Sequence, residues 1–242
     1  MNRKQLLFIT ILIFALAIFS YKVAFAFFSS QATSNNNTFT AAEVFATPTP
    51  VPPTVKISEV QITGDPGDAG HDFVEFYNPT STPFDLNGHR LVKRSGSSPN
   101  DTTIKSWTTT AIVPAHRFYL WASTDDGFNA TVSADTATAQ NIGNNNSIAL
   151  RFGAEDTGII IDALSWNSAS ESLKEGTEFD PDPGANQSIE RKALSTSTSS
   201  SMAIGGSDEL KGNGFDLNNN ATDFILRTVS QPQNTSNLTE SP

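Results

Sequence analysis

The chain of 242 residues contains no cysteine. That excludes disulfide staples and thiolate metal centres, so a domain in oxidising surroundings must hold together through its core alone. Basic residues are scarce, 15 against 25 acidic ones, and they form no clustered stripe. Affinity for nucleic acid comes largely from Lys and Arg on phosphates, so that class of partner is disfavoured. The chain also lacks a Gly-x-Ser-x-Gly elbow, a phosphate-binding loop and a dinucleotide fingerprint, and its serines sit in turn or low-complexity contexts, which disfavours a serine hydrolase. His71, His89 and His116 stand apart, with no spacing that brings two onto one face, and read as single loop histidines. No heptad and no full internal repeat is present.

Long apolar runs are absent except at the start. Arg3 and Lys4 precede the run Leu6–Phe19, and Ala24-Phe25-Ala26 fits the small-residue pattern before a signal-peptidase cut. Residues 1–26 therefore read as a signal peptide cleaved after Ala26. The alternative is a retained membrane anchor over Leu6–Phe28, with Lys22 snorkelling to the interface. Either reading exports the remainder, secreted or held at the cell surface, with membrane contact only through this segment. Removing residues 1–26 takes away Arg3, Lys4 and Lys22 and no acid, so the exported part is more acidic still.

Residues 27–53 form a linker. Ser, Thr and Asn dominate its first part, and Thr47–Pro53 then favours an extended polyproline II spacer. A domain is expected over 54–234, followed by a disordered tail over 235–242.

Within the domain, β-branched and aromatic residues cluster in short runs bounded by Gly, Pro and Asn. Val55–Ile62 and Phe73–Tyr77 read as strands separated by a Gly-Asp-rich loop, and a third begins near Phe84 with a turn at Asn87-Gly88. Alternation puts Val74 and Phe76 on the core face of the second strand. In the first, the apolar phase shifts from Val55 and Ile57 to Val60 and Ile62, which predicts a β-bulge near Ser58-Glu59. Further strands are expected at Thr103–Thr108, Arg117–Trp121, Ser147–Phe152, Gly158–Trp166 and Phe224–Val229. Thr124–Gln140 reads as a long surface excursion.

Three pieces resemble the lamin-tail domain family: Ile57-Ser58-Glu59-Val60, then Asp72-Phe73-Val74-Glu75-Phe76-Tyr77-Asn78-Pro79, then Phe84-Asp85-Leu86-Asn87-Gly88 followed by Leu91. Ser188-Ile189-Glu190-Arg191 and Gly212–Phe224 are similar to later elements of its bacterial members. Val113-Pro114-Ala115-His116 is similar to the family's Leu-Pro-Ala-Gly turn without the glycine. The resemblance implies an all-β, immunoglobulin-like sandwich found in nuclear lamins and bacterial secreted proteins, and says little about a reaction. The leader from Ala24 to Phe39 resembles that of biofilm-matrix fibre and camelysin-like proteins, which supports export.

Candidate chemistry is thin. Glu59 and Glu75, on neighbouring strands, are a possible acid pair for glycoside hydrolysis, though a structural role is the stronger reading. Asp216, Asn218, Asn220 and Asp223 are candidate oxygen ligands for calcium, as are Asp65, Asp68 and Asp72 in the glycine loop, but neither segment completes an EF-hand. Trp107, Tyr119, Trp121 and Trp166 are candidates for a sugar-binding platform or for the core. The expectation is a non-enzymatic structural or interaction module of the cell surface or exterior, without a required cofactor, whose partner is a cell-envelope protein or polysaccharide. The alternative is a carbohydrate-binding sandwich on envelope polysaccharide, with calcium assisting.

Overall fold

A computed structural model describes residues 54–166 and 173–242, together with residues 2, 3, 5, 13 and 15. The expected signal peptide, its membrane-anchor alternative and the linker fall on the remaining residues and lie outside the described part. Among the described residues no helix is long and apolar enough to cross a membrane. The chain divides into two units, 1–50 and 51–242, and the fold below is that of the second.

The second unit is an immunoglobulin-like β-sandwich. Its larger sheet contains β1 (Lys56–Gln61), β2 (Phe73–Tyr77), β7 (Phe118–Ser123), β8 (Thr136–Thr138), β11 (Ser188–Arg191) and β12 (Phe224–Arg227), in the order β12-β11-β1-β2-β7-β8. Its smaller sheet contains β4 (His89–Ser95), β5 (Asp101–Ser106), β9 (Asn146–Phe152) and β10 (Ile159–Ser165), in the order β10-β9-β4-β5. A two-stranded ribbon joins β3 (Phe84–Asp85) to β6 (Ile112–Val113). Pairing is antiparallel except between β7 and β8.

The expected bulge is present. The β1–β2 register shifts between Ile57 and Glu59, so Ile57 and Val60 both reach the core while Ser58 and Glu59 both meet groups on the other face. Val74 and Phe76 join Ile57, Val60, Leu91, Ile148 and Leu150 in one cluster between the sheets. The pleat explains this: alternate residues of facing strands share one layer.

The other face of the larger sheet is covered as well. Phe73, Leu120 and Ala122 pack with Phe128, which sits on a one-turn helix, Phe128–Thr131. The stretch expected as a surface excursion thus carries this helix and strand β8, and supplies part of a second apolar cluster. It went unseen because Phe128 and Val132 are isolated in a run of small residues.

The tail expected to be disordered is held by hydrogen bonds instead. Thr235 Oγ1 donates to Asp135 at 2.5 Å, Glu240 N–H donates to the His116 carbonyl at 2.9 Å, and Gly212 N–H donates to the Ser241 carbonyl at 2.9 Å. Its polar composition suits hydrogen bonding to sheet and loop groups rather than solvent alone.

Candidate functional site

Three glutamates stand side by side on the outer face of the larger sheet. Glu59 on β1 lies directly opposite Glu75 on β2 and Glu190 on β11. Like charges directly opposite one another are unfavourable on a sheet, yet all three carboxylates are buried. The bulge helps place them, because it turns Ser58 and Glu59 to the same side.

Each carboxylate is met by donors. Ser188 Oγ donates to Glu59, and the Gln231 backbone N–H reaches both Glu59 oxygens at 3.1 and 3.3 Å. Glu75 accepts from Ser58 Oγ at 2.6 Å and from the Gln233 backbone N–H at 2.6 Å. Asn213 Nδ2 donates to Ser58 Oγ at 2.9 Å and to Glu190 at 3.2 Å. Arg227 Nη1 forms an ion pair with Glu190 Oε2 at 2.7 Å. Residues 231–240 thus form a strap over the row, closed by Tyr77 Oη on the Glu240 carbonyl at 2.5 Å and by Gln233 Nε2 on the Glu240 carboxylate at 2.7 Å.

Burial dominates the electrostatics, because a charged carboxylate loses its water. It pushes Glu59 from the usual 4.5 up to about 7, against the pull of Ser188, Gln231 and Arg227. Glu75 is raised well above its ordinary value by burial and then by the Glu59 charge. Burial and Glu59 take Glu190 to about 8, and burial then Glu209 take Glu240 to about 7. The row therefore retains protons near neutral pH.

Beside the row lies a cavity of about 430 Å³. Glu190, Asp208, Glu209 and Glu240 line it, with no Lys or Arg among the lining residues. Its apolar residues are Met202, which is buried, and Ile204, Leu210 and Leu238, which are 79%, 64% and 71% exposed.

The lamin tail domain matches residues 48–168, half of the chain. The chain belongs to the lamin tail domain family. It is also similar to the crystal structure of a DUF4876 family protein from Bacteroides thetaiotaomicron VPI-5482, at 12% identity and a TM-score of 0.49, over 78% of this chain and 74% of that one. No curated protein matches the chain.

In this lamin tail domain, Glu59 and Glu75 are brought together as expected, but beneath the strap rather than at an open cleft. The calcium candidates find other partners. Asp216 ion-pairs with Lys56 and lies 3.5 Å from Arg191. Burial opposes its ionisation, but those two cations outweigh burial and hold its carboxyl below the usual range. Asn220 Oδ1 accepts the Ser165 and Glu175 N–H groups, Asp223 Oδ2 accepts those of Leu217 and Asn219, and the Asn218 N–H donates to Asp216. These side chains order the turns before and within the one-turn helix Asn220–Asp223. Among the described residues, no group of three or more His, Asp or Glu is placed to hold a metal ion.

Asp65, Asp68 and Asp72 also part company. Asp65 accepts from Asn186, Asp68 lies 3.7 Å from His71, and Asp72 is buried with its Oδ2 on the Ile142 N–H at 2.5 Å. His71 stacks on Phe128 at 4.6 Å, and His89 sits between Phe84 and Phe152. Trp107, Tyr119, Trp121 and Trp166 are all buried in the main core. Sequence reasoning missed Glu190, Glu240 and the cavity. The only signal for Glu190 was its place in the Ser-Ile-Glu-Arg element, since alternation puts Glu190 and Ile189 on opposite faces.

Proposed function

We propose that this lamin tail domain is a non-enzymatic interaction module that works outside the cytoplasm and binds a protein of the cell envelope. The observation that carries the reading is the cavity with its exposed apolar rim, the one surface feature described above that combines a concave shape with unpartnered apolar side chains. Sealing of Glu59 and Glu75 supports a structural role for them, because neither carboxylate is open to a substrate and a water. Burial of the four aromatic candidates weakens the carbohydrate alternative, which needs an exposed ring on which a sugar can stack. Export rests on the basic and apolar N-terminal segment.

The test is retention of the full chain on fractionated envelope components. Retention by a protein fraction, with no release of sugar from envelope polysaccharide, is the expected result. Retention by polysaccharide alone, or measurable glycan hydrolysis, overturns the reading.

A further inference from the structure

We propose that the strap is a pH-gated cover: it lies closed while the glutamate row holds protons and lifts as the row ionises, taking away one wall of the cavity and releasing what is bound there. The lifting stands on the geometry of the row and the strap. The release of a bound protein rests on the interaction-module reading.

The strap is held by polar contacts. Among residues 231–240 only Glu240 is buried, and Leu238, the one large apolar side chain, is 71% exposed. Burial of hydrocarbon does not tie it to the core, and a segment held this way opens locally without unfolding the sheet beneath. Two of its ties, the Gln231 and Gln233 N–H groups, end on Glu59 and Glu75. Its far end rests on Asp135, which accepts from Thr235, on Arg117, which donates to Thr235 and Thr239, and on the His116 carbonyl. Gln231, Gln233, Leu238 and Glu240 line the cavity together with Met202 and Ile204, so the cavity exists only while the strap is down.

Charge supplies the drive. Glu59, Glu75 and Glu190 hold directly opposed positions on β1, β2 and β11, and the strap adds Glu240. The other charged groups at this face are Arg227 on β12 and Asp208, Glu209 and Lys211 on the loop before Gly212. Arg227 pairs with Glu190 and Lys211 with Asp208, each at 2.7 Å. One guanidinium thus answers four carboxyl groups, and backbone N–H donors cannot offset the mutual repulsion of neighbours ionised together. Tyr77, whose hydroxyl donates to the Glu240 carbonyl, is raised by burial and keeps its proton. With the strap closed, burial raises Glu59 and Glu240 to about 7 and Glu190 to about 8. Lifting the strap returns water to these carboxylates and lets them fall towards the ordinary range. The open form therefore carries fewer protons, and opening grows as pH rises through 7 and 8.

Amide hydrogen exchange of the ¹⁵N-labelled full chain reads the gate. After correction for base-catalysed intrinsic exchange, the opening constants at Gln231 and Gln233 should rise at least about tenfold between about pH 6 and 8.5. The Leu86 N–H, bonded to the Ala111 carbonyl and buried, should keep an opening constant at least about a hundredfold smaller at every pH. Glu75→Gln and Glu240→Gln, which keep the shape without the charge, should each flatten the rise. An envelope protein retained at about pH 6 should elute as the pH is raised to about 8.5.

Opening constants at Gln231 and Gln233 that do not change with pH, or that equal that of Leu86 throughout, overturn the proposal. A rise that survives undiminished in both variants also overturns it, as does retention that persists while the strap is open. No retention at any pH, with the strap opening as expected, would instead count against the module reading, so the two failures are distinguishable.

Discussion

His116 holds φ at 53°, in the left-handed region where side chains with a Cβ are disfavoured. It occupies the place where the family turn carries glycine, and its Nδ1 is buried without a hydrogen-bond partner. Replacing it by glycine removes both costs and adds back some unfolded-state entropy. His116→Gly should therefore stabilise the fold by about 0.5–1 kcal/mol, read as a higher urea midpoint at unchanged slope. A lower midpoint would show that the imidazole makes a favourable contact. Arg191 poses the opposite case. It crosses the sandwich from β11 to Asp162 on β10, donating to both carboxylate oxygens at 2.9 and 2.8 Å, with its Cζ 4.4 Å from the centroid of the Phe224 ring. It also donates to the Ile57 and Phe215 carbonyls, while Asp162 accepts the Ile57 N–H at 2.6 Å. Arg191→Met should cost about 3–5 kcal/mol, since it strands a buried carboxylate. The double change Arg191→Met with Asp162→Leu should stay at least about 2 kcal/mol below wild type, because those backbone groups lose their partners. Full recovery in equilibrium unfolding would mean that the pair serves only itself.

The strap over the glutamate row is the element whose behaviour depends most on pH. Glu59, Glu75, Glu190 and Glu240 bind protons more tightly folded than unfolded, because burial raises Glu59 and Glu240 to about 7, Glu190 to about 8, and Glu75 well above its ordinary value. The folded chain thus carries more protons than the unfolded one across that window. Their contribution is complete below about pH 4.5 and is lost as pH rises through 7 and 8. The melting temperature should fall by on the order of 5 °C between about pH 5.5 and 8.5, and Glu75→Gln, which keeps the shape without the charge, should flatten the decline. A flat wild-type profile would discard the buried-proton account. Closure of the strap also depends on Gly212, where a Cβ would lie 1.9 Å from Tyr77 Oη. Gly212→Ala should displace that hydroxyl from the Glu240 carbonyl and lower the melting temperature by several degrees. Strands were readable at this scale because alternation and turn residues report local geometry, as the bulge at Ser58 and the inward Val74 and Phe76 show. The strap was not. Gln231 and Gln233 act through their backbone N–H groups, which any residue other than proline would supply, so their side-chain identities carry no signal.

At the scale of the molecule, the family match ends at residue 168 while the sandwich does not. β11 pairs with β1 and β12 with β11, so two of the six strands of the larger sheet come from beyond the match. Ile189 and Phe224 belong to the main core, and Arg191 is the buried partner of Asp162. Ser188, Gln231 and Gln233 supply donors that Glu59 and Glu75 require. A chain ended at residue 168 would leave β1 as an open edge, Asp162 without Arg191 in the core and two glutamates uncovered. Each of these is destabilising, and a stranded buried carboxylate alone costs about 3–5 kcal/mol of the 5–15 kcal/mol by which a domain is ordinarily stable. We expect the shortened chain to show no cooperative urea transition and poor amide dispersion. Restoring residues to 229, without the strap, should recover a transition weakened most at alkaline pH, where the uncovered carboxylates ionise and repel. A cooperative, well-dispersed fold from residues 1–168 alone would instead make the later strands an accessory layer on a self-sufficient core.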